Sequence, residues 1–395
     1  LTQPDRFRFF VTCARGTEGA LRRELVALRI GSPKGDTGGV WFEGPLRMAM
    51  AVCLHARVAV RVLMQLVEFG AASADDLYQG TRAVDWTAWL STKTTLAVHA
   101  SVRDSRELTH SGYAALKVKD AIVDALRDKL GARPDVDPKD PDVSVTLHLA
   151  GTRAGLFLDL AGEPLHRRGY RVAMTDAPIK ETLAAAVLAL GGVRTDQPFI
   201  DPMGGSGTLV IEQALAARGV PPGLKRRFGF ERWPGFVANL RAAWSDLGEQ
   251  ARAQVAAGRA GPAPAPIVYA DVAADALVAA RRNAAAAGVE ADIQFERADV
   301  GDLTARWPTA TLATNPPYGE RLAERDLTAL YRRMAAAFGR LGGWGVVVLS
   351  GNPLLAREMR VKPRISHRLF NGPLEVRLLR YELPGEVRSA SRVPS

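Results

Sequence analysis

Phe199-Ile200-Asp201-Pro202-Met203-Gly204-Gly205-Ser206-Gly207-Thr208 reads as a short strand, a glycine-rich turn and the opening of a helix that runs from Leu209 to Arg218. Glycines at such a turn let a ligand approach the backbone closely at the carboxyl end of a strand. The spacing is not the dinucleotide fingerprint G-x-G-x-x-G. Counted from Gly205 the third glycine would fall on Val210, and counted from Gly204 the second would fall on Ser206. The turn also lacks the lysine of a P-loop. Asp201 just ahead of it disfavours a phosphate and favours a cation, so a ligand bearing an amine and a sulfonium suits it better.

Downstream of this turn, strands and helices alternate, the pattern of a mostly parallel sheet with crossover helices. Strands are predicted at Pro198–Asp201, Ile267–Asp271, Ile293–Glu296, Thr311–Thr314 and Trp344–Leu349, with Leu374–Leu383 as a closing antiparallel strand. Helices are predicted from Pro178 to Leu190 and from Ala274 to Ala287, the latter stopped by Gly288. Four successive strand tips then carry Asp201, Asp271, Asp299 and Asn315. In a doubly wound sheet the second tip is the place for a ribose-binding acid. Asp299 is suited to accept from an adenine amine. The general richness of loops in Asp explains any one of these residues, but not all four in that order.

The fourth tip is Thr314-Asn315-Pro316-Pro317-Tyr318-Gly319. Asn315 precedes a proline and is biased to extended backbone. Pro316 and Pro317 have fixed φ and no N–H, yet keep their carbonyls as acceptors. The turn therefore offers the Asn315 amide oxygen and the Pro316 carbonyl side by side, with the Tyr318 ring two residues on. Two neutral acceptors at a fixed separation can hold both hydrogens of a planar exocyclic NH2 and free its lone pair for attack on an electrophile. A plain diproline turn ending a strand is the bland alternative, and only the other tips weigh against it.

Composition sets the outer bounds. The chain has 395 residues, enough for two or three domains, with 47% hydrophobic and 24% charged residues, the balance of an ordinary globular protein. It opens at Leu1 without a methionine, and its start reads as trimmed. No run approaches a membrane span and no secretion signal opens the chain. Cys13 and Cys53 are the only cysteines and form no CxxC, so a disulfide scaffold or thiolate metal site is not expected and a reducing cytoplasm is. The six histidines show no ligand spacing, so no metal is expected. A net charge of +10 suits a polyanion such as nucleic acid, although an arginine-rich coding background gives the same sum.

The N-terminal half reads as α+β. Strands are predicted at Phe7–Val11, Val40–Phe42, Leu96–Ala100, Val143–Leu149 and Gly155–Leu160. A helix is predicted from Gly16 to Ile30, helical spacing runs through Met50, Leu54, Val58 and Val62, and Tyr113–Leu130 is the clearest early helix. Trp86 and Trp89 read as core. His166-Arg167-Arg168-Gly169-Tyr170-Arg171 is a basic patch with an aromatic inside it, suited to clamp phosphates and stack on a base, or equally a solvated linker. Asp201 and Asp271 stand 70 positions apart, far more than one crossover helix needs. The excess includes Lys225-Arg226-Arg227-Phe228-Gly229-Phe230-Glu231-Arg232-Trp233, which is read as lining an RNA approach to Tyr318 or, alternatively, as a helical insertion packed on the sheet edge.

Together these residues resemble the class I S-adenosylmethionine methyltransferases that modify amino groups. Over nearly the whole chain the resemblance narrows to the THUMP-containing (RlmL-like) enzymes that methylate guanine N2 in 23S, large-subunit rRNA. It is carried by Leu116-Lys117-Val118-Lys119-Asp120, His166 to Arg171, Ala177-Pro178-Ile179-Lys180-Glu181-Thr182-Leu183, the Asp201 turn and Asn315 to Leu322. The resemblance implies a Rossmann-like domain with a mostly parallel seven-stranded sheet, preceded by an α+β ferredoxin-like and THUMP region that holds RNA. The domains implied are 1–45 (ferredoxin-like), 46–165 (THUMP), 166–176 (linker) and 177–395 (methyltransferase). Asp201, Pro202, Gly204, Gly205, Gly207, Asp271 and Asp299 would hold S-adenosylmethionine. Asn315, Pro316, Pro317 and Tyr318 would be catalytic, and Lys117, Lys119, Arg167, Arg168, Arg171, Arg226 and Arg227 would contact RNA. A cytoplasmic monomer acting on large-subunit rRNA, without metal or membrane, is the expectation. A tRNA guanine-N2 methyltransferase and a non-catalytic RNA-binding protein are its rivals. Three departures stand out. Ala273 replaces a second ribose acid, and Gly204 replaces a cysteine common in relatives, a change read as harmless. The chain also ends at Ser395 without a second methyltransferase domain, which implies at most one modified guanine.

Overall fold

The computed structural model describes residues 6–174, 178–236, 240–318 and 324–384. They form two compact units that interleave along the chain. The first comprises residues 1–13, 21–166 and 222–252, the second 14–20, 167–221 and 253–395.

The first unit contains β1 (Phe7–Thr12), α1 (Glu18–Ala27), β2 (Lys34–Asp36), β3 (Gly39–Gly44), α2 (Leu46–His55) and β4 (Arg61–Gly70). There follow α3 (Ala74–Arg82), β5 (Thr95–Arg103), α4 (Ser111–Leu130), β6 (Asp135–Val136), β7 (Val143–Ala150) and β8 (Arg153–Asp159). Their strands make one eight-stranded sheet in the order β2-β3-β1-β4-β8-β7-β5-β6. Alternation decides which face is covered. Phe9 and Val11 of β1, Val40 and Phe42 of β3 and Val62 and Met64 of β4 are buried on one face. Arg8, Phe10 and Trp41 turn to the other. The helical spacing predicted through Val58 and Val62 breaks at His55, and Val62 is a buried strand residue instead. Trp86 is core, as its pattern predicted, with its indole N–H donating to the Thr81 carbonyl at 2.9 Å.

The second unit runs α5 (Glu181–Leu190), β9 (Phe199–Asp201), α6 (Thr208–Ala217), α7 (Arg241–Arg259), β10 (Ile267–Asp271), α8 (Ala274–Ala287), β11 (Ile293–Arg297) and β12 (Thr311–Thr314). It ends with α9 (Glu324–Phe338), β13 (Gly345–Ser350), α10 (Leu354–Glu358), β14 (Ile365–Asn371) and β15 (Leu374–Glu382). Residues 241–252 of α7 belong to the first unit, and residues 18–20 of α1 to the second. The seven strands follow the order β11-β10-β9-β12-β13-β15-β14. Those from β11 to β13 are parallel, whereas β15 runs antiparallel to both β13 and β14. This is the Rossmann-like sheet expected from the sequence. Its order reverses between β9 and β12, and ligands of open α/β sheets bind beyond the strand ends at such a switch point.

The long insertion packs into the first unit. Phe228 and Phe230 stack at 5.5 Å with Trp244 edge-on to both, and Trp233 meets Trp89 at 5.7 Å. Gly223 N–H donates to the Leu54 carbonyl, and a Cβ there would lie 2.8 Å from backbone atoms of Cys53 and Leu54.

Candidate functional site at the switch point

Asp201 ends β9 and is 2% exposed, its carboxylate accepting the Met203 N–H at 3.2 Å. Burial pushes this carboxyl up to about 7; the Met203 N–H opposes the shift, and the Asp271 charge adds to it. The turn beyond it needs glycine twice over. Gly205 and Gly207 have φ of 51° and 82°, in the left-handed region that side chains disfavour. At Gly204 a Cβ would fall 2.3 Å from the Tyr269 ring. The glycine at 204 is therefore coupled to the buried Tyr269, whose hydroxyl donates to the Gly205 carbonyl at 2.8 Å. A cysteine there would displace that ring, so the departure expected to be harmless has a structural partner.

Asp271, at the tip of β10, accepts the Gly205 N–H on one oxygen and the Ala273 N–H on the other, each at 2.9 Å. The residue that replaced the second acid thus contributes its backbone to fixing the first. Asp299 follows β11, accepting the Gly301 N–H at 2.7 Å and pairing with Arg333 of α9. Its carboxylate is partly engaged already, which the sequence did not foresee.

At the tip of β12, Thr314 and Pro316 are buried. Strand pairing of Phe199 with Thr311 and Ile200 with Leu312 sets this tip beside the glycine turn, at a strand spacing of about 4.8 Å. The Asn315 amide oxygen is buried and has no hydrogen-bond partner among the described residues. The Pro317 carbonyl accepts from the buried Tyr331 hydroxyl at 2.9 Å. Tyr318 accepts from the Asn371 amide at 3.1 Å, and its ring crowds Gly351, where a Cβ would meet it at 2.5 Å. Tyr331, Asn371, Gly351 and Tyr269 were all missed by sequence reasoning, because each acts through a contact between distant segments. The remainder of this motif, Gly319 to Leu322, lies outside the described residues, as does Ala177 of the stretch that opens near α5.

The basic residues divide. Arg168 is a correction: it is buried and ion-paired with Glu212 at 2.6 Å, where Tyr170 also donates at 2.9 Å, so it cannot clamp a phosphate. Arg171 is another. It donates to Glu181, the Ile179 carbonyl, Ser206 and Thr208, and so braces the glycine turn. Arg226 is a third, spending its guanidinium on the Glu163 and Pro164 carbonyls. Arg167 and Arg227 are exposed. Lys117 lies over the Tyr113 ring at 5.8 Å and Lys119 pairs with Asp120 at 2.8 Å, both on α4. A further brace was unforeseen: buried Asn283 donates to the Ser206 and Ala173 carbonyls and accepts from the Val172 and Ala173 N–H groups. Among the described residues no cluster of His, Cys, Asp and Glu could hold a metal ion, and no helix is long and apolar enough to cross a membrane.

Comparison with known proteins places this geometry. Residues 8–63 match the RlmL ferredoxin-like domain and residues 71–159 the THUMP domain. The chain is 42% identical over 388 residues to the ribosomal RNA large subunit methyltransferase K/L of Syntrophotalea carbinolica, covering 95% of this chain and 53% of that protein. The chain spans about half the length of the curated relatives it matches. A solved structure titled a possible methylase from Clostridium difficile 630 superposes with a TM-score of 0.88 at 27% identity, covering 97% of this chain and all of that one. SMU.472, solved in complex with SAH, superposes at 0.87 with 28% identity over 97% of this chain and 99% of its own. The switch-point acids, the glycine turn and the diproline corner all fall within residues 168–380, which match the RMKL-like methyltransferase domain, and on that match over more than half its length the chain belongs to the RMKL-like methyltransferase family.

Proposed function

We propose that this chain transfers a methyl group from S-adenosylmethionine to the exocyclic N2 amine of a guanine in large-subunit rRNA. The observation that carries the reading is the buried amide oxygen of Asn315 beside the glycine turn, without a hydrogen-bond partner among the described residues. A buried acceptor without a donor costs roughly 1–3 kcal/mol, and an incoming NH2 group supplies the missing donor. Asn315 and the Pro316 carbonyl would hold the two amine hydrogens, Pro317 would stiffen the corner, and Tyr318 would stack on a guanine splayed out of its helix. No strong base is needed, because the amine becomes acidic once alkylated.

The donor set fits the methyl donor. The bound donor supplies an electrophilic methyl on a sulfonium. The glycines at 204, 205 and 207 leave the backbone accessible, Asp201 suits a cationic amine, Asp271 retains lone pairs for ribose hydroxyls, and Asp299 can accept from an adenine amine. Pro202, buried beside Asp201, holds the start of the turn. Lys117, Lys119, Arg167 and Arg227 remain the proposed RNA contacts. The proposed domains are 1–45, 46–165 and 177–395 with a linker at 166–176, in a cytoplasmic monomer.

The test is transfer of labelled methyl from S-adenosylmethionine to large-subunit rRNA, tRNA, DNA and protein substrates, followed by nucleoside mass mapping. N2-methylguanine in the rRNA lane is the expected product. Label confined to tRNA, to guanine N7 or to protein overturns the reading, and N7 does so most sharply because that ring nitrogen has no hydrogens for Asn315 to hold.

A further inference from the structure

The tip of β13 carries Gly351 and lies beside the tip of β12, because the two strands pair in parallel from Thr311 with Gly345 to Thr314 with Val348. Gly351 does not have the positive φ that calls for glycine. It is also exposed, so neither backbone conformation nor core packing explains the missing side chain. The Tyr318 ring does. A Cβ at position 351 would lie 2.5 Å from Cδ2 of that ring, 2.9 Å from Cγ and 3.0 Å from Cε2. Beside the ring edge the two flanking carbons would stand much farther off than Cδ2, so distances this even put the added carbon over the ring face. Gly351 therefore backs one face of Tyr318, and a stacking partner has only the other.

The ring is also fixed at both ends. At its root the Pro317 carbonyl accepts from the buried Tyr331 hydroxyl at 2.9 Å. At its tip the Tyr318 hydroxyl accepts from the Asn371 amide at 3.1 Å. Asn371 ends β14, in the hairpin that Gly372, at φ 63°, and Pro373 close. An asparagine at a turn commonly spends its side chain on the neighbouring backbone. This one reaches a hydroxyl 53 positions away in the sequence. Tyr331 and Tyr381 are fully buried in the core of the unit, whereas Tyr318 is only partly covered. A ring held on one face and at both ends, yet left partly exposed, is preorganised for a contact that core packing does not supply.

We infer that Asn371 and Gly351 are positioning residues for methyl transfer, which fix the height and tilt of the Tyr318 ring so that one planar base stacks on its other face with its amine at the Asn315 corner. The inference rests on the proposed function and deepens it. It makes one-sided stacking on a fixed shelf, rather than insertion of the ring between two bases, the way the base is received.

The experiment uses the full chain and two readouts: kinetics of methyl transfer to rRNA, and fluorine NMR of fluorotyrosine placed at position 318. Asn371→Ala should lower kcat by roughly tenfold, with KM for RNA and affinity for S-adenosylhomocysteine unchanged. Tyr318→Phe removes the other half of the same hydrogen bond, so adding Asn371→Ala to it should cost nothing further. Gly351→Ala should push the ring off its seat and lower kcat by roughly a hundredfold, but should have no further effect once Tyr318→Ala has removed the ring. The fluorine resonance of the otherwise unmodified chain should stand apart from its unfolded position and move toward it in Asn371→Ala. Asn371→Ala that costs as much with Tyr318→Phe as without it, or that leaves kcat and the fluorine resonance unchanged, overturns the inference even if rRNA is methylated. The expected fluorine shift in a chain that methylates no RNA overturns the proposed function instead, while the hold on the ring stands.

Discussion

One oxygen of Asp271 accepts the backbone N–H of Gly205, which lies in a different strand–turn unit, at 2.9 Å. The acid of the second strand tip therefore holds the glycine turn of the first, and the two halves of the proposed ligand cradle are fixed by one carboxylate. The other oxygen is held by Ala273 N–H, so the side chain cannot swing away when a ligand leaves.

Asp271→Asn should break this arrangement at small cost in volume. An amide has only one oxygen for two N–H donors, and its NH2 would face one of them. Hydrogen bonds to a charged acceptor contribute about 1.5–3 kcal/mol, so affinity for S-adenosylhomocysteine should fall by about tenfold or more in calorimetry. Asp271→Ala that binds as tightly as the unmodified chain would show that the carboxylate shapes neither turn nor ligand.

Asp201 gives a pH dependence whose sign is opposite to that of an ordinary carboxylate. Its ordinary value is 3.8, and burial raises it to about 7 in the folded chain. Between about pH 4 and 7 the native state holds a proton that the unfolded chain has released, so the Asp201 contribution to stability falls as pH rises through that window and is level above it. Asp201→Asn should remove this part of the pH dependence in thermal unfolding. A cationic ligand prefers the ionised form, so its affinity should rise with pH by up to about tenfold per unit below 7. A flat affinity profile from pH 5.5 to 8.5 would mean that the bound amine does not sense Asp201.

Much of the second unit was legible because each parallel strand is a short buried apolar run closed by a tip residue. Ile267–Asp271 and Thr311–Thr314 have the bounds the pattern predicted. Strand β14 was not legible. In Ile365-Ser-His-Arg-Leu-Phe-Asn only Leu369 is buried, and the basic residues mask the alternation. The patch His166 to Arg171 misled for a different reason. A run of arginines reads the same whether solvent or a distant carboxylate surrounds it, and Glu212 lies 44 residues beyond Arg168. For the insertion's Phe228 and Phe230 the sequence left an RNA approach and a packed insertion both open, and the fold supplies Trp244 as their partner.

The Arg168–Glu212 pair separates a structural role from an RNA-binding one. Both side chains are almost fully buried. Arg168→Met takes the buried Glu212 carboxylate's guanidinium away and should cost about 3–5 kcal/mol in denaturant unfolding. The double change Arg168→Met with Glu212→Gln should recover most of that stability. Restored stability with unaltered RNA affinity is the expected outcome, whereas a stable double variant that no longer binds RNA would return Arg168 to the RNA surface.

Asn315 offers the sharpest separation of stability from chemistry. Its amide oxygen is buried, yet no donor among the described residues reaches it. Removing it by Asn315→Ala breaks no bond to that oxygen among the described residues and relieves the roughly 1–3 kcal/mol cost of burying it unpaired, so unfolding free energy should not fall. Turnover should respond very differently. Loss of one positioned hydrogen-bonding group aimed at the reacting centre costs about 10²–10³ in kcat, and that fall is expected here with S-adenosylhomocysteine affinity unchanged. The carboxylate variant Asn315→Asp keeps an acceptor but adds a charge to a buried corner, so it should lose stability as well as rate. A variant with alanine at this position that is unstable yet still turns over would place the amide in the scaffold, and the diproline corner would then have no acceptor left to hold a base amine other than the Pro316 carbonyl.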